Sequence, residues 1–62
     1  MYIVFFSTND VFKAEEKLKH CNTKCRIVPT PVTDKAYCGV CVQTEYQNAV
    51  DILNGMEFKV VA

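Results

Sequence analysis

Four short apolar runs along the chain have the length and composition of β-strands. The first is apolar at every position and rich in aromatic and β-branched residues, so both of its faces should be covered. The third alternates, with Val40 and Val42 on one face and Cys41 and Gln43 on the other. The predicted strands cover residues 2–6, 25–28, 39–44 and 57–61.

Apolar residues recur at helical spacing between the first two strands, which predicts a helix over residues 10–20. Ser7, with Asp10 three residues later, is typical of a helix N-cap, and Asn22 is suited to a left-handed helix end. The stripe expected to face the core comprises Val11, Ala14, Leu18 and Cys21.

A second apolar stripe at helical spacing lies between the third and fourth strands. Thr44 and Gln47 have capping-box spacing, and Gly55 is a favourable residue just past a helix end. The stripe consists of Tyr46, Ala49, Val50 and Leu53. In the strand that follows, Phe58 and Val60 should point inward.

The order βαββαβ predicts an α+β, ferredoxin-like sandwich: a four-stranded antiparallel sheet with two helices on one face. We expect one domain over residues 1–62. Tyr2, Val4 and Phe6 share the strand face that the helices leave uncovered. An exposed apolar face of this kind favours a homodimer, or a docked partner, on that side of the sheet.

Composition and charge exclude several function classes. Seven basic residues balance seven acidic ones and form no basic stripe, so we expect no nucleic-acid partner. The apolar N-terminal run is too short to cross a membrane and lacks the features of a signal peptide, which predicts a cytoplasmic protein. The chain lacks a phosphate loop, paired catalytic carboxylates and a Ser/His/Asp set. It therefore predicts no cofactor and leaves open whether the protein is an enzyme.

The four cysteines are the main source of candidate chemistry. In a reducing compartment they are expected to be free thiols, with Cys21 and Cys25 acting as buried small hydrophobic residues. A zinc site joining both pairs is not expected. The pairs flank a strand of roughly 17–20 Å, whereas zinc holds sulfur at about 2.3 Å.

Cys38 follows a stiff polar segment and is the strongest candidate for a reactive thiol. In the predicted topology its loop lies near the first helix N-terminus, around Ser7 and Thr8, where a thiolate would be stabilised. Gly39 would allow another backbone to approach closely. Cys41 completes a C-x-x-C spacing and is a candidate resolving thiol for Cys38.

The chain resembles a family of small bacterial proteins described as selenium/sulfur carrier-like. The resemblance covers nearly the whole chain and includes Phe6-Ser7-Thr8, Ala14-Glu15, Pro29-Thr30-Pro31 and Cys38-Gly39. It implies a carrier or accessory protein that holds sulfur or selenium on Cys38 as a persulfide or selenosulfide. Donor and acceptor proteins of a relay would be its partners. The residues implied around the site are Ser7, Thr8, Pro29, Thr30, Pro31 and Gly39.

The chain departs from the family pattern at two places near the site. Val32 stands where the family usually has arginine, and Ala36 and Tyr37 stand where serines usually precede the cysteine. Both changes remove polar groups that could stabilise an anion. Two other functions stay open: an interaction module without chemistry, and a small metal-binding domain that uses the cysteines.

Overall fold

The computed structural model describes residues 1–31 and 37–61, so Val32 and Ala36 lie outside the described residues. The predicted βαββαβ order is confirmed. The elements are β1 (Tyr2–Val4), α1 (Thr8–His20), β2 (Arg26–Pro29), β3 (Val40–Gln43), α2 (Ala49–Ile52) and β4 (Lys59–Val61). None of the helices in the described ranges has the length and apolar character needed to cross a membrane.

The four strands form one antiparallel sheet in the order β2-β3-β1-β4. β1 and β2 both pair antiparallel with β3, so they run parallel to each other on either side of it. β4 pairs antiparallel with the other side of β1. Each βαβ unit is therefore split by a strand of the other unit, as the ferredoxin-like prediction requires.

The first helix forms as its sequence predicts, with the exception of its last apolar position. Ser7 is the N-cap, and its Oγ accepts a hydrogen bond of 3.3 Å from the backbone N–H of Asp10. Asn22 adopts φ 56° just past the helix, which confirms the predicted left-handed ending. Three lysine and histidine side chains lie in the last turn, where the helix dipole favours positive charge.

The core lies between the sheet and the two helices. Its fully buried residues come from β1 and the residue after it, from α1, from β3 and from the α2 region: Ile3, Phe5, Val11, Ala14, Leu18, Val42, Ala49 and Leu53. Because residues of both helices belong to this one cluster, both helices cover the same face of the sheet. Phe58 packs against the cluster, with its ring centroid 5.9 Å from that of Phe5.

The second helix is a single turn, so the predicted capping box at Thr44 is wrong. The Thr44 hydroxyl donates to the carbonyl oxygen of Lys24 at 2.9 Å and accepts from the Tyr46 N–H at 3.2 Å. These bonds hold the chain in a turn, and the helix begins only after Asn48, whose side chain makes no capping bond. Tyr46 is consequently 48% exposed instead of buried.

Two expectations about the sheet faces also need correction. Val60 lies opposite Ile3 but is 41% exposed, because β4 is an edge strand. Val4, expected on an uncovered apolar face, is fully buried, as is Cys41. Phe6 is the exposed member of the predicted patch, at 50%. The face away from the helices is therefore not the continuous exposed apolar surface on which the predicted homodimer relied.

Truncating Leu18 should destabilise the domain far more than truncating Cys21. Leu18 is fully buried and Cys21 is exposed. We expect Leu18→Ala to cost about 2–5 kcal/mol, a large share of the roughly 3–9 kcal/mol typical of a domain of this size. Cys21→Ala should stay within about 0.5 kcal/mol. Urea unfolding followed by circular dichroism measures both. Equal losses for the two variants would contradict the described packing of α1.

Candidate functional site

The fold brings three chain segments together at one end of the sheet. Because β1 and β2 run parallel, their carboxyl ends lie at the same end, where β3 also begins. The chain leaves β1 there and enters α1 after only a few residues. The N-terminus of α1, the end of β2 and the segment before β3 therefore meet, as the sequence predicts.

Backbone hydrogen bonds fix the position of Cys38. Its N–H donates to the carbonyl oxygen of Phe5 at 2.9 Å, which ties the residue to the end of β1. The Thr30 hydroxyl donates to the Cys38 carbonyl oxygen at 2.7 Å, and the Thr30 N–H donates to the Gly39 carbonyl oxygen at 3.0 Å. Cys38 is thus held from both neighbouring strands while its side chain stays partly exposed.

The Cys38 thiol lies against the first residue of α1. Its Sγ is 3.0 Å from the Thr8 Oγ1. Hydrogen bonds from the Thr8 hydroxyl and from the backbone N–H groups of Val40 and Gly39 lower the pKa of Cys38, against a smaller opposing effect of burial. The partial positive charge at the helix N-terminus favours the thiolate in the same sense.

Aromatic side chains border the thiol. Phe6 and Tyr37 stack with ring centroids 5.0 Å apart and an interplanar angle of 23°. Phe6 directly follows the carbonyl that anchors Cys38, and Tyr37 directly precedes Cys38. Phe12 lies one helical turn beyond Thr8 and is 54% exposed. We call Phe6, Phe12 and Tyr37 the aromatic border.

The other three cysteines occupy different environments, and all are free thiols. Cys41 is fully buried, and burial raises its pKa. Cys25 is half-buried against the core, where burial and the nearby Glu15 carboxylate raise its pKa. Cys21 was expected on the buried stripe, which is wrong: it is the C-cap of α1 and is exposed. The helix ends there, so the periodicity no longer directs its side chain inward.

The remaining predicted site residues serve mainly to shape the end of the sheet. Ser7 caps α1, and Pro29 pairs with Val40 at the last position of β2. Pro31 is exposed. A Cβ placed on Gly39 would meet no atom within 4 Å, and φ at Gly39 is not positive. The expected close approach of another backbone to Gly39 is therefore wrong within the described part of the chain.

Metal-binding geometry is not found at this end of the sheet or elsewhere in residues 1–31 and 37–61. Within these ranges no three His, Cys, Asp or Glu side chains come together to hold an ion. Cys21 caps the far end of α1, about 20 Å along the helix axis from Thr8. The sequence-based interpretation missed the Phe5 carbonyl and the stacking of Phe6 on Tyr37. Neither has a local sequence signal, because both depend on the β1–β3 pairing.

Removing the Thr8 hydroxyl should slow the reaction of Cys38 at neutral pH. Thr8→Val keeps the side-chain shape but removes a hydrogen bond that favours the thiolate, so the fraction of reactive thiolate falls. We expect severalfold slower alkylation by iodoacetamide, measured by timed quenching and peptide mapping. Thr8→Ser, which retains a hydroxyl, is the matched control.

The pH dependence of this effect separates a change in pKa from a structural effect. Well above the pKa of an ordinary thiol both forms are fully ionised, and the thiolate with the higher pKa is the better nucleophile. The deficit of Thr8→Val should therefore vanish or reverse there. A deficit that persists unchanged at high pH would contradict the role assigned to the Thr8 hydroxyl.

Comparison with known proteins adds a family to this geometry. No curated protein and no solved structure matches the chain. A family model described as "Putative Se/S carrier protein-like" matches residues 1–61. That match spans both helices, all four strands and the segment that holds Cys38. The chain therefore belongs to the Se/S carrier protein-like family.

Proposed function

We propose that the protein carries sulfur or selenium on Cys38, as a persulfide or a selenosulfide. The observation that supports this most is the 3.0 Å contact between Cys38 Sγ and Thr8 Oγ1 at the N-terminus of α1. It accompanies a lowered pKa of Cys38 and partial exposure of the thiol. A carrier thiol needs these properties, because it must be ionised and reachable to accept its cargo.

The loading step is a thiol exchange. The Cys38 thiolate attacks the outer sulfur of a donor persulfide, R–S–SH. A bond forms between Cys38 Sγ and that sulfur, the donor S–S bond breaks, and R–S⁻ leaves. The product is Cys38–S–SH, so the sulfur moves without net oxidation or reduction. Thr8 and the N–H groups of Gly39 and Val40 would favour the attacking thiolate.

Space beside Cys38 is available for the cargo atom. The side chain is partly exposed, and the neighbouring Gly39 has no heavy atom within 4 Å of where its Cβ would lie. Neither the backbone conformation nor internal packing requires glycine there. Its small size would instead keep the approach to the thiol open.

The proposed partners are the proteins that donate and accept the cargo, since transfer between thiols requires contact of the two sulfur atoms. The aromatic border offers a docking surface beside Cys38, with Phe6 at 50% and Phe12 at 54% exposure. Exposed aromatic residues are typical of protein–protein contacts. The reducing cytoplasm is the compartment in which such a thiol stays free.

The second candidate function is a docking module without chemistry. The exposed Phe6, Phe12 and Tyr46 favour it, because each would bury apolar surface in a complex or a homodimer. The two candidates differ in whether Cys38 is modified. A carrier gains the mass of a sulfur atom on this residue when it meets a donor, whereas a docking module gains none.

Cys38→Ser should abolish loading. The protein would be incubated with a cysteine desulfurase and L-cysteine, and intact mass with peptide mapping would locate any added sulfur. We expect the wild type to gain a sulfur atom on Cys38 and Cys38→Ser to gain none. Cys21→Ser is the matched control, since Cys21 is also exposed, and it should load like the wild type. Unchanged loading of Cys38→Ser would leave the docking module as the better account.

Gly39→Ala should separate access to the thiol from the reactivity of the thiol. The methyl group meets no atom, so stability should be unchanged or higher by up to about 1 kcal/mol. We expect slower loading from the desulfurase, a bulky donor, and near wild-type loading from a small-molecule persulfide. Loading by both donors at wild-type rates would show that the open space at Gly39 has no part in transfer.

A further inference from the structure

Cys41 lies close to the reactive thiol but in the opposite environment. It is fully buried, whereas Cys38 is partly exposed. Burial is the main reason why the pKa of Cys41 is raised, and the negative charge of Cys38 raises it further. One thiol of this pair can therefore be reached from solvent, and the other is shielded from every reactant except its neighbour.

The backbone between the two cysteines is curled at its start. Bends occur at Tyr37 and Gly39, and the Cys38 sulfur accepts the N–H of Val40, the residue directly before Cys41. A fully extended chain would instead separate the Cα atoms of residues three apart by about 10 Å. The extended-strand argument, which sets two such side chains on opposite faces, therefore does not apply fully to this segment.

Thr30 contacts both cysteines. Its hydroxyl donates to the Cys38 carbonyl oxygen at 2.7 Å, and its side chain also forms a hydrogen bond with Cys41. Cys41 Sγ is in addition 3.9 Å from the Pro29 carbonyl oxygen. The end of β2 thus holds Cys41 as a thiol beside Cys38, in contact with groups that can release it when the segment moves.

We propose that Cys41 discharges the carrier by displacing its cargo as sulfide or selenide, an inference that rests on the proposed function. The Cys41 sulfur attacks Cys38 Sγ, a Cys38–Cys41 disulfide forms, and the bond from Cys38 Sγ to the outer sulfur breaks. The proton of Cys41 leaves with the outer sulfur as HS⁻. The cargo atom is reduced by two electrons, the two cysteines are oxidised by two, and a cellular dithiol restores them.

Closing this disulfide requires movement, because its Cα atoms must come within roughly 4.4–6.8 Å. The Cys38 N–H bond to Phe5 and the Thr30 N–H bond to Gly39 are the contacts that would open. Gly39 lies between the cysteines and supplies the backbone freedom for the turn. Burial of Cys41 would hold the cargo until this opening occurs, so discharge would be slower than loading.

The test compares discharge in the wild type, Cys41→Ser and Cys25→Ser. The last is the matched control, since Cys25 is also shielded and has a raised pKa. Each protein is loaded with the desulfurase and L-cysteine, desalted into thiol-free buffer, and followed by sulfide assay and intact mass. The wild type and Cys25→Ser should release sulfide and form a Cys38–Cys41 disulfide. Cys41→Ser should load normally and release at least about tenfold more slowly.

Two outcomes would overturn this inference while leaving the proposed function intact. One is release by Cys41→Ser at the wild-type rate; the other is release by the wild type without the Cys38–Cys41 disulfide. Failure of every protein to load would count against the carrier function itself. A poorly folded Cys41→Ser does not block the test, because mapping of unloaded wild type after diamide oxidation should also find Cys38–Cys41. A Cys38–Cys38 dimer in its place would refute the pairing.

Discussion

The hydrogen bond from the Cys38 N–H to the Phe5 carbonyl oxygen positions the rest of the site. It joins the segment before β3 to the end of β1 and so brings the Cys38 side chain to the start of α1. The 3.0 Å contact with Thr8 depends on it. A thiol on a free loop would have no fixed donors around it, whereas this one has a hydroxyl and two backbone N–H groups.

The split βαβ topology explains why such a site can exist in 62 residues. Two parallel strands on either side of β3 bring their carboxyl ends together, so one helix N-terminus and two strand ends converge without any long loop crossing the sheet. The core lies on the helix side of the sheet, away from the thiol, and needs none of the site residues except Cys38 and Val40 at its margin. Stability and chemistry are therefore largely separate in this chain.

The sequence allowed the element order and the position of Cys38 to be predicted, because apolar periodicity and caps such as Ser7 are local signals. The fate of the second helix was not predictable in this way. The hydroxyl of Thr44 bonds to Lys24, twenty residues away along the chain, and this contact competes with a local cap. Cys21 fails for a related reason, since helical periodicity has no meaning at the residue where the helix ends. The aromatic stack of Phe6 on Tyr37 likewise depends on strand pairing.

Titration of the cysteine side chains tests the central claim most directly. Chemical shifts of the four cysteine β-carbons, followed by NMR as pH rises, report the ionisation of each thiol separately. The account predicts that Cys38 ionises below the pH of an ordinary thiol, and that Cys25 and Cys41 ionise above it. Ionisation of Cys38 at or above the pH of an ordinary thiol would contradict the claim that Thr8 and the α1 N-terminus stabilise a thiolate at this site.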